Sequence, residues 1–427
     1  MMFNGKKVLV VGLGKSGLAA ARLLRKRGAR VFLTEQKLRS AVKDLIKKIP
    51  AGVSCEMGSH RFFRSAFDLI VVSPGVPWDQ PDLVRARKKG IPVWPELELG
   101  WRCVSPAQTI AITGTNGKTT TTALIGHVLE KAGRPVAVGG NIGRPLCEFS
   151  DQVTSKTFLV LEVSSYQLEG HETFHPNVGL VLNVTPDHLK RHGTMSRYTA
   201  AKGRVFANAT PNDVAVLNRN DAWCRKIGKR TKARKVWFPS SSLKRLAQHI
   251  RLPGQHNLEN AMAAVGALKA VGLSDAEIKS GLVSFKGVKH RIQFIATKKG
   301  VHYFNDSKGT NVDSTVVALK ALTKPVILIL GGQDKGSPYK PLIPLIKKKV
   351  RDILTIGEAH PLIARDLKGS APITSCRTLE NAIRTASEVA RKGDSVLLSP
   401  ACASFDQYKN FEERGDHFIK LVQRLKK

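Results

Sequence analysis

Residues 109–122 read Thr-Ile-Ala-Ile-Thr-Gly-Thr-Asn-Gly-Lys-Thr-Thr-Thr-Thr, a β-branched run ending at Gly114, followed by an amphipathic segment that Gly133 closes after Ala132. That order predicts a strand, a tight loop and a helix. An anion in such a loop faces unpaired N–H groups and the positive end of the helix dipole, Lys118 adds a point charge, and the Thr119 hydroxyl can ligate Mg²⁺. A full Walker pattern needs glycine at 112, where this chain has Ile112. The shorter run Gly114-Thr115-Asn116-Gly117-Lys118-Thr119-Thr120 still predicts a nucleoside triphosphate site.

A strand–loop–helix unit needs a sheet around it, and 427 residues are enough for two or three domains of about 100–200 residues each. The segment before the phosphate loop opens with its own β-α-β signal: Lys7–Val11, then Gly12-x-Gly14-x-x-Gly17, a helix to Arg27, and a second strand at Arg30–Thr34 followed by Glu35. Taken alone this fingerprint suggests NAD, and a nicotinamide-dependent oxidoreductase is the rival reading. Glycines that admit one pyrophosphate to a helix N-terminus admit another, UDP included. A strand at Phe67–Val72 ends in the turn Ser73-Pro74-Gly75, where open α/β sheets hold ligands.

The apolar runs after the phosphate loop, Pro135–Val138, Phe158–Val163, Val178–Val184 and Val214–Leu217, predict a mostly parallel sheet with polar residues at the strand ends. Asn141, Glu162 and His188 occupy such ends. A carboxylate inside an apolar run is costly unless a metal or a basic partner meets it. Lys202, in Tyr-Thr-Ala-Ala-Lys, reads from the residues alone as a surface lysine. Asn260 reads as a cap before the alanine-rich helix Ala261–Ala270. A third unit begins near Val288, with His290-Arg291, Asn305-Asp306-Ser307-Lys308 and Ser399–Asp406 again at strand starts and ends.

Composition excludes several classes. No run of about 18 apolar residues is present to span a bilayer. Lys6-Lys7 and the short apolar run after them are broken by glycines, so they read as a strand rather than a signal peptide, and a cytoplasmic protein is expected. Six cysteines without a C-x-x-C pair predict reduced thiols and no cysteine metal cluster. The net charge of +36 favours anionic partners. Its densest patch, from Arg225-Lys226 to Arg234-Lys235, lacks interleaved aromatics and reads as a solvated loop, so no specific nucleic acid is expected.

Several motifs in order, Gly114–Thr120, Glu162-Val163-Ser164-Ser165, Asp187-His188 with Arg191-His192, His256-Asn257 with Asn260, and His290-Arg291, resemble the Mur ligases over nearly the whole chain. Folylpolyglutamate synthase is a relative of this family and the nearer alternative. The first glycine fingerprint, the run Asn305–Asn311 and the ending Ser399–Phe411 are most similar to the D-glutamate-adding branch. The resemblance implies an α/β protein of three domains: a Rossmann-like N-terminal domain (1–95) for the UDP substrate, a central P-loop mononucleotide-binding ATPase domain (96–287), and a Rossmann-like C-terminal domain (288–427) for the amino acid.

The implied reaction is ATP-dependent: the γ-phosphate activates the carboxylate of UDP-N-acetylmuramoyl-L-alanine as an acyl phosphate, and the D-glutamate amine displaces phosphate. By resemblance, Gly114–Thr120 with Asn260, Arg291 and Asp306 would bind ATP, with Lys118 on its phosphates. Thr119 and Glu162 would hold one Mg²⁺, and His188 a second, together with Lys202 carbamylated by CO₂. Gly14, Lys15, Ser16, Gly17, Ser73, Pro74, Gly75 and Asn141 would take the UDP substrate. Lys308, Thr310, Lys335, Ser404 and Phe411 would take D-glutamate. Lys118, His188 and Lys202 are the implied catalytic residues, and a monomer is expected. Lys190 departs from the family's usual acid, and Thr34-Glu35-Gln36 from its more familiar uracil contact.

Overall fold

Three parallel-rich sheets carry the predicted loops at their strand ends. The computed structural model describes residues 2–252, 254–323, 325–334, 336 and 338–425. Met1–Arg251 with Asn257–Phe285 form one unit, and Leu252–His256 with Lys286–Lys427 the other. No helix among the described residues is long and apolar enough to cross a membrane.

In the first unit the leading sheet contains β1 (Lys7–Val11), β2 (Arg30–Glu35), β3 (Ser54–Met57), β4 (Leu69–Val72) and β5 (Val93–Pro95), in the order β3-β2-β1-β4-β5 and all parallel. The order reverses between β1 and β4, so the crevice outside their carboxyl ends lies between the glycine loop and the Ser73 turn. The two are tied together: the buried Ser73 hydroxyl donates to the Gly12 carbonyl at 3.0 Å. Gly17 has to be glycine, since a Cβ there would collide with that same carbonyl oxygen. Glu35 folds onto the loop, accepting from the Leu13 N–H at 2.7 Å and from the Lys37 N–H at 3.0 Å.

The second sheet contains β6 (Gln108–Thr113), β7 (Val136–Gly140), β8 (Phe158–Glu162), β9 (Val178–Val181), β10 (Val214–Asn218) and β11 (Arg234–Phe238), in the order β11-β10-β9-β6-β8-β7 and wholly parallel. Its central strands are buried on both faces, as continuous runs of Val, Ile and Leu require. The linking helix Glu96–Trp101 is fixed by two buried carboxylates. Glu98 accepts from the backbone N–H groups of Glu172, Thr173 and Phe174, and Glu96 accepts from the Cys147 N–H.

Two expectations fail in this unit. The basic stretch read as a loop is the helix Ala222–Arg230 followed by the edge strand β11; Cys224, Ile227 and Gly228 give that helix a buried side. Asn260 is not a cap, because the helix spans Gln255–Ala270 and holds it, buried, in its second turn.

The second unit holds β12 (Gln293–Lys298), β13 (Val301–Asn305), β14 (Val326–Gly331), β15 (Val350–Ile356), β16 (Ile373–Arg377) and β17 (Ser395–Leu398), in the order β12-β13-β17-β14-β15-β16. Only β12 pairs antiparallel. Because β13 and β17 are neighbours, the segments that leave them, at Asp306 and Ser399, emerge side by side.

Candidate functional site

The phosphate loop leaves β6 through Gly114 at φ 148° and enters the helix Lys118–Lys131 through Gly117 at φ 83°, conformations that favour glycine. Asn260 packs against Gly117 so closely that a Cβ there would strike its side-chain oxygen. The side chain of Asn183, just beyond β9, secures the rest of the loop: Oδ1 accepts from the N–H groups of Thr115 (3.2 Å) and Asn116 (2.8 Å), and Nδ2 donates to the Asn116 carbonyl (3.1 Å). Thr119 and Thr120 lie buried in the first helical turn.

Two lysines converge on one carbonyl. Lys118 Nζ donates to the Gly114 oxygen at 2.9 Å and to that of Thr115 at 2.8 Å, and Lys202 Nζ donates to the Gly114 oxygen at 2.8 Å. Lys202 is only 2% exposed, so the surface position read from its helix is corrected: small Ala neighbours let Met195–Gly203 pack close, and its lysine points inward. Burial, reinforced by the Lys118 ammonium, pushes its pKa down to about 7.

Tyr198, one turn earlier on the same helix, stands between Lys202 and His188. The Lys202 ammonium lies 4.4 Å from its ring centre and the His188 ring 6.3 Å, while its hydroxyl meets that of Thr115 at 3.2 Å. His188 itself is exposed and left-handed at φ 53°.

Glu162, at the end of β8, is 3% exposed. Its protein partners are a hydroxyl and an amide. Oε2 accepts from the Thr119 hydroxyl and Oε1 from the Asn141 side-chain amide, each at 2.8 Å. Asn141, assigned to the UDP substrate, is thus held against the carboxylate assigned to Mg²⁺. Among the described residues no group of three or more His, Cys, Asp or Glu side chains is placed to hold a metal ion by itself. A carboxylate beside a hydroxyl nonetheless supplies the hard oxygen donors that Mg²⁺ takes, with phosphate oxygens and water completing its shell.

The segment after β9 also reaches the Ser73 turn. Arg191 donates to the Val76 carbonyl (3.0 Å) and to Glu169 Oε2 (2.6 Å), and stacks 5.0 Å from the Tyr166 ring centre. His192 meets the Ser165 hydroxyl at 3.0 Å, and burial lowers its pKa. Lys190 is exposed. Near the Ser73 turn, Gly14 caps the helix Lys15–Lys26, Lys15 is exposed, and Ser16 and Pro74 are half-buried. Gly75 is exposed.

The second unit carries its own cluster. Asp306 is buried and accepts from the Ser399 hydroxyl at 2.7 Å and the Ile292 N–H at 3.2 Å, next to Arg291; burial raises its pKa to about 7. The Lys308 ammonium lies 6.0 Å from the Phe411 ring centre. Ser307 donates to the Phe411 carbonyl at 2.8 Å, Thr310 is half-buried and Ser404 buried. Arg414 joins these loops from inside, 1% exposed, donating to the carbonyls of Ser307 (3.0 Å), Cys402 (3.2 Å) and Ala403 (3.1 Å) and to the Ser307 hydroxyl (3.0 Å). Lys335 lies outside the described residues.

Tyr198, Asn183 and Arg414 were missed from sequence. Tyr198 had a signal, its i, i+4 spacing to Lys202; Asn183 had one too, as a polar residue at a strand end. Arg414 sits in a helix of mixed charge that gives no hint of its burial.

Three family descriptions match in register with this geometry: the Mur ligase MurD-like N-terminal domain over residues 6–94, the Mur ligase middle domain over 112–247, and the Mur ligase glutamate ligase domain over 290–402. The chain is 45% identical to the UDP-N-acetylmuramoylalanine--D-glutamate ligase of Koribacter versatilis, over 100% of this chain and 99% of that protein. It is 44% identical to the protein of the same name from Acidobacterium capsulatum, over 99% and 97%. In fold it is similar to the UDP-N-acetylmuramate-alanine ligase of Thermotoga maritima (TM-score 0.58, 19% identity, 98% of this chain and 99% of that one). The MurF of Acinetobacter baumannii matches equally (TM-score 0.58, 18% identity, 93% and 86%). The chain therefore belongs to the Mur ligases, a family of ATP-dependent, Mg²⁺-requiring ligases.

Proposed function

We propose that this chain joins D-glutamate to UDP-N-acetylmuramoyl-L-alanine in peptidoglycan precursor synthesis, by way of an acyl phosphate. The observation that carries the reading is the convergence, at one strand-end edge, of the Gly114–Thr120 loop, the buried Glu162 with Thr119 as donor, and the buried Lys202. Full-length identity to ligases of that name supports the choice of substrates. The activities implied by the first glycine fingerprint alone leave this second, nucleotide-type loop without a use.

In this reading, the loop N–H groups and Lys118 hold the ATP phosphates, with Asn260, Arg291 and Asp306 as further nucleotide contacts. Lys118 also offsets charge as the substrate carboxylate approaches the γ-phosphate. Thr119 and Glu162 would hold one Mg²⁺; His188 and a carbamate on Lys202 would hold a second. Bound Mg²⁺ supplies Lewis-acid charge compensation between two anionic reactants. Carbamylation requires a neutral amine, and the lowered Lys202 pKa supports it. Residues Gly14–Gly17 and Ser73–Gly75 take the UDP substrate, with Asn141 reaching it from the Glu162 side. Lys308, Thr310, Lys335, Ser404 and Phe411 take D-glutamate. The functional domains run 1–95, 96–287 and 288–427, and the enzyme works as a cytoplasmic monomer.

The deciding assay is phosphate release from Mg²⁺-ATP with UDP-N-acetylmuramoyl-L-alanine, adding D-glutamate, L-glutamate or neither, with the product identified by mass. Ligation with D-glutamate alone is expected. Turnover with another acceptor only, or none with ATP bound, overturns the reading.

A further inference from the structure

Between Asp221 and Glu259 the chain carries ten Lys and Arg residues and no acid. Nothing in the proposed reaction uses them. On the helix Ala222–Arg230 the exposed positions Arg225, Lys226, Lys229 and Arg230 recur at i, i+1, i+4 and i+5, which puts them on one side, opposite the buried Cys224, Ile227 and Gly228. Lys232 and the edge-strand residues Arg234 and Lys235, which follow the helix, are exposed as well. Among the described residues, Arg245 alone of the ten is ion-paired, to Asp275 at 3.2 Å. Seven like charges within eleven residues leave this stretch with a strongly positive field that counter-charge would relieve.

We propose that this helix side and the β11 edge form an electrostatic docking surface for an anionic phospholipid bilayer. Clusters of this size on one side of a helix suit a negatively charged leaflet, which demands only sign and area. One or two charges suffice to keep a sheet edge from pairing with another edge, and this edge with its helix has seven. The face is less suited to nucleic acid. Trp223 and Trp237 are half-buried against the core of the central sheet, and the Lys226 ammonium already lies 4.2 Å from the Trp223 ring centre, where a base would stack. Every exposed side chain from 225 to 235 is basic, leaving no amide or hydroxyl to read bases or ribose. Nor do the exposed residues of this stretch include an apolar one, so attachment is peripheral and governed by salt. The inference does not rest on the ligase reading.

The test is co-sedimentation of the full chain with phosphatidylcholine vesicles, with and without about one-third phosphatidylglycerol, as KCl rises from roughly 0.1 M to roughly 0.5 M. Binding is expected only with phosphatidylglycerol, weakening at least about tenfold across that range. The variant R225Q/K226Q/K229Q/R230Q should bind at least about tenfold more weakly at the lower salt, with ATPase-coupled ligation in solution unchanged. A control removing the same charge elsewhere, K88Q/K89Q/K347Q/K348Q, should stay within about threefold of the parent. Equal loss in both variants would reduce the effect to net charge and overturn the proposal. So would binding to neutral vesicles, or displacement from anionic vesicles by transfer RNA at equal phosphate concentration.

Discussion

The Arg191 guanidinium donates to the Val76 carbonyl at 3.0 Å, joining the segment that carries His188 to the turn that begins at Ser73. Ser73 in turn holds the Gly12 carbonyl, so the contact runs on to the first glycine loop. Replacing Arg191 by Met removes a charged hydrogen bond worth roughly 1.5–3 kcal/mol. KM for the UDP substrate should rise about tenfold or more while KM for ATP moves less than about threefold. Steady-state kinetics with each substrate varied separately would check this, and a larger effect on ATP would refute it.

Lys202→Ala should abolish ligation, and formate or acetate should partly restore it by supplying a carboxylate where the carbamate would stand. In the parent, uptake of ¹³CO₂ followed by NMR should be half-maximal near pH 7 and fall below it, because only the neutral amine reacts. The sign for stability follows from the same value. The folded pKa of about 7 lies below the ordinary lysine value of 10.5, so between these pH values the unfolded chain binds more protons and stability rises with pH. That rise should flatten in Lys202→Met, as measured by chemical denaturation from pH 7 to pH 10.5. An unchanged slope, or an active Lys202→Ala, would count against the lysine's role.

Glu162→Gln separates charge from geometry. Its amide can still accept from Asn141 through Oε1 and can donate to the Thr119 hydroxyl, so the melting temperature should change little. The Mg²⁺ concentration for half-maximal activity should nevertheless rise at least about tenfold, since a neutral ligand replaces an anion. Titration of activity with Mg²⁺, beside a thermal melt, distinguishes the two. A parent-like Mg²⁺ response would remove Glu162 from the cation site.

Arg414→Met takes a donor from three buried carbonyls, of which that of Ala403 keeps the Gln333 N–H at 3.0 Å, so roughly 1–3 kcal/mol is expected for each of the Ser307 and Cys402 carbonyls left unsatisfied. The second unit should melt earlier in a calorimetric scan. KM for D-glutamate should rise through displacement of Ser404 and Lys308, while KM for ATP stays within about threefold. Arg414→Lys should recover part of both, and an effect on stability alone would confine Arg414 to a structural role.

Much of the fold was legible because the parallel strands are short unbroken apolar runs and the polar residues stand at their ends. Three kinds of residue escaped. Ser54–Met57 and Val350–Ile356 lack a clean apolar run, the latter broken by Arg351 and Asp352, so propensity gave no strand there. The position of Lys202 depends on which side of its helix meets the phosphate loop, which only tertiary packing decides. Glu162 is legible as a carboxylate in need of a partner, but the groups it meets, a hydroxyl and an amide, come from Thr119 and Asn141 on other elements, which only the fold brings together. Arg414 combines these difficulties, since its partners are backbone carbonyls that no side-chain pattern announces.

Glu35 gives the first glycine loop a different meaning from the one its spacing carries. Both of its oxygens accept from the chain's own amides, at Leu13 and Lys37. An acid that elsewhere greets a ribose here works as a clasp, holding the turn in shape from within. The letters of the motif thus report how the backbone bends.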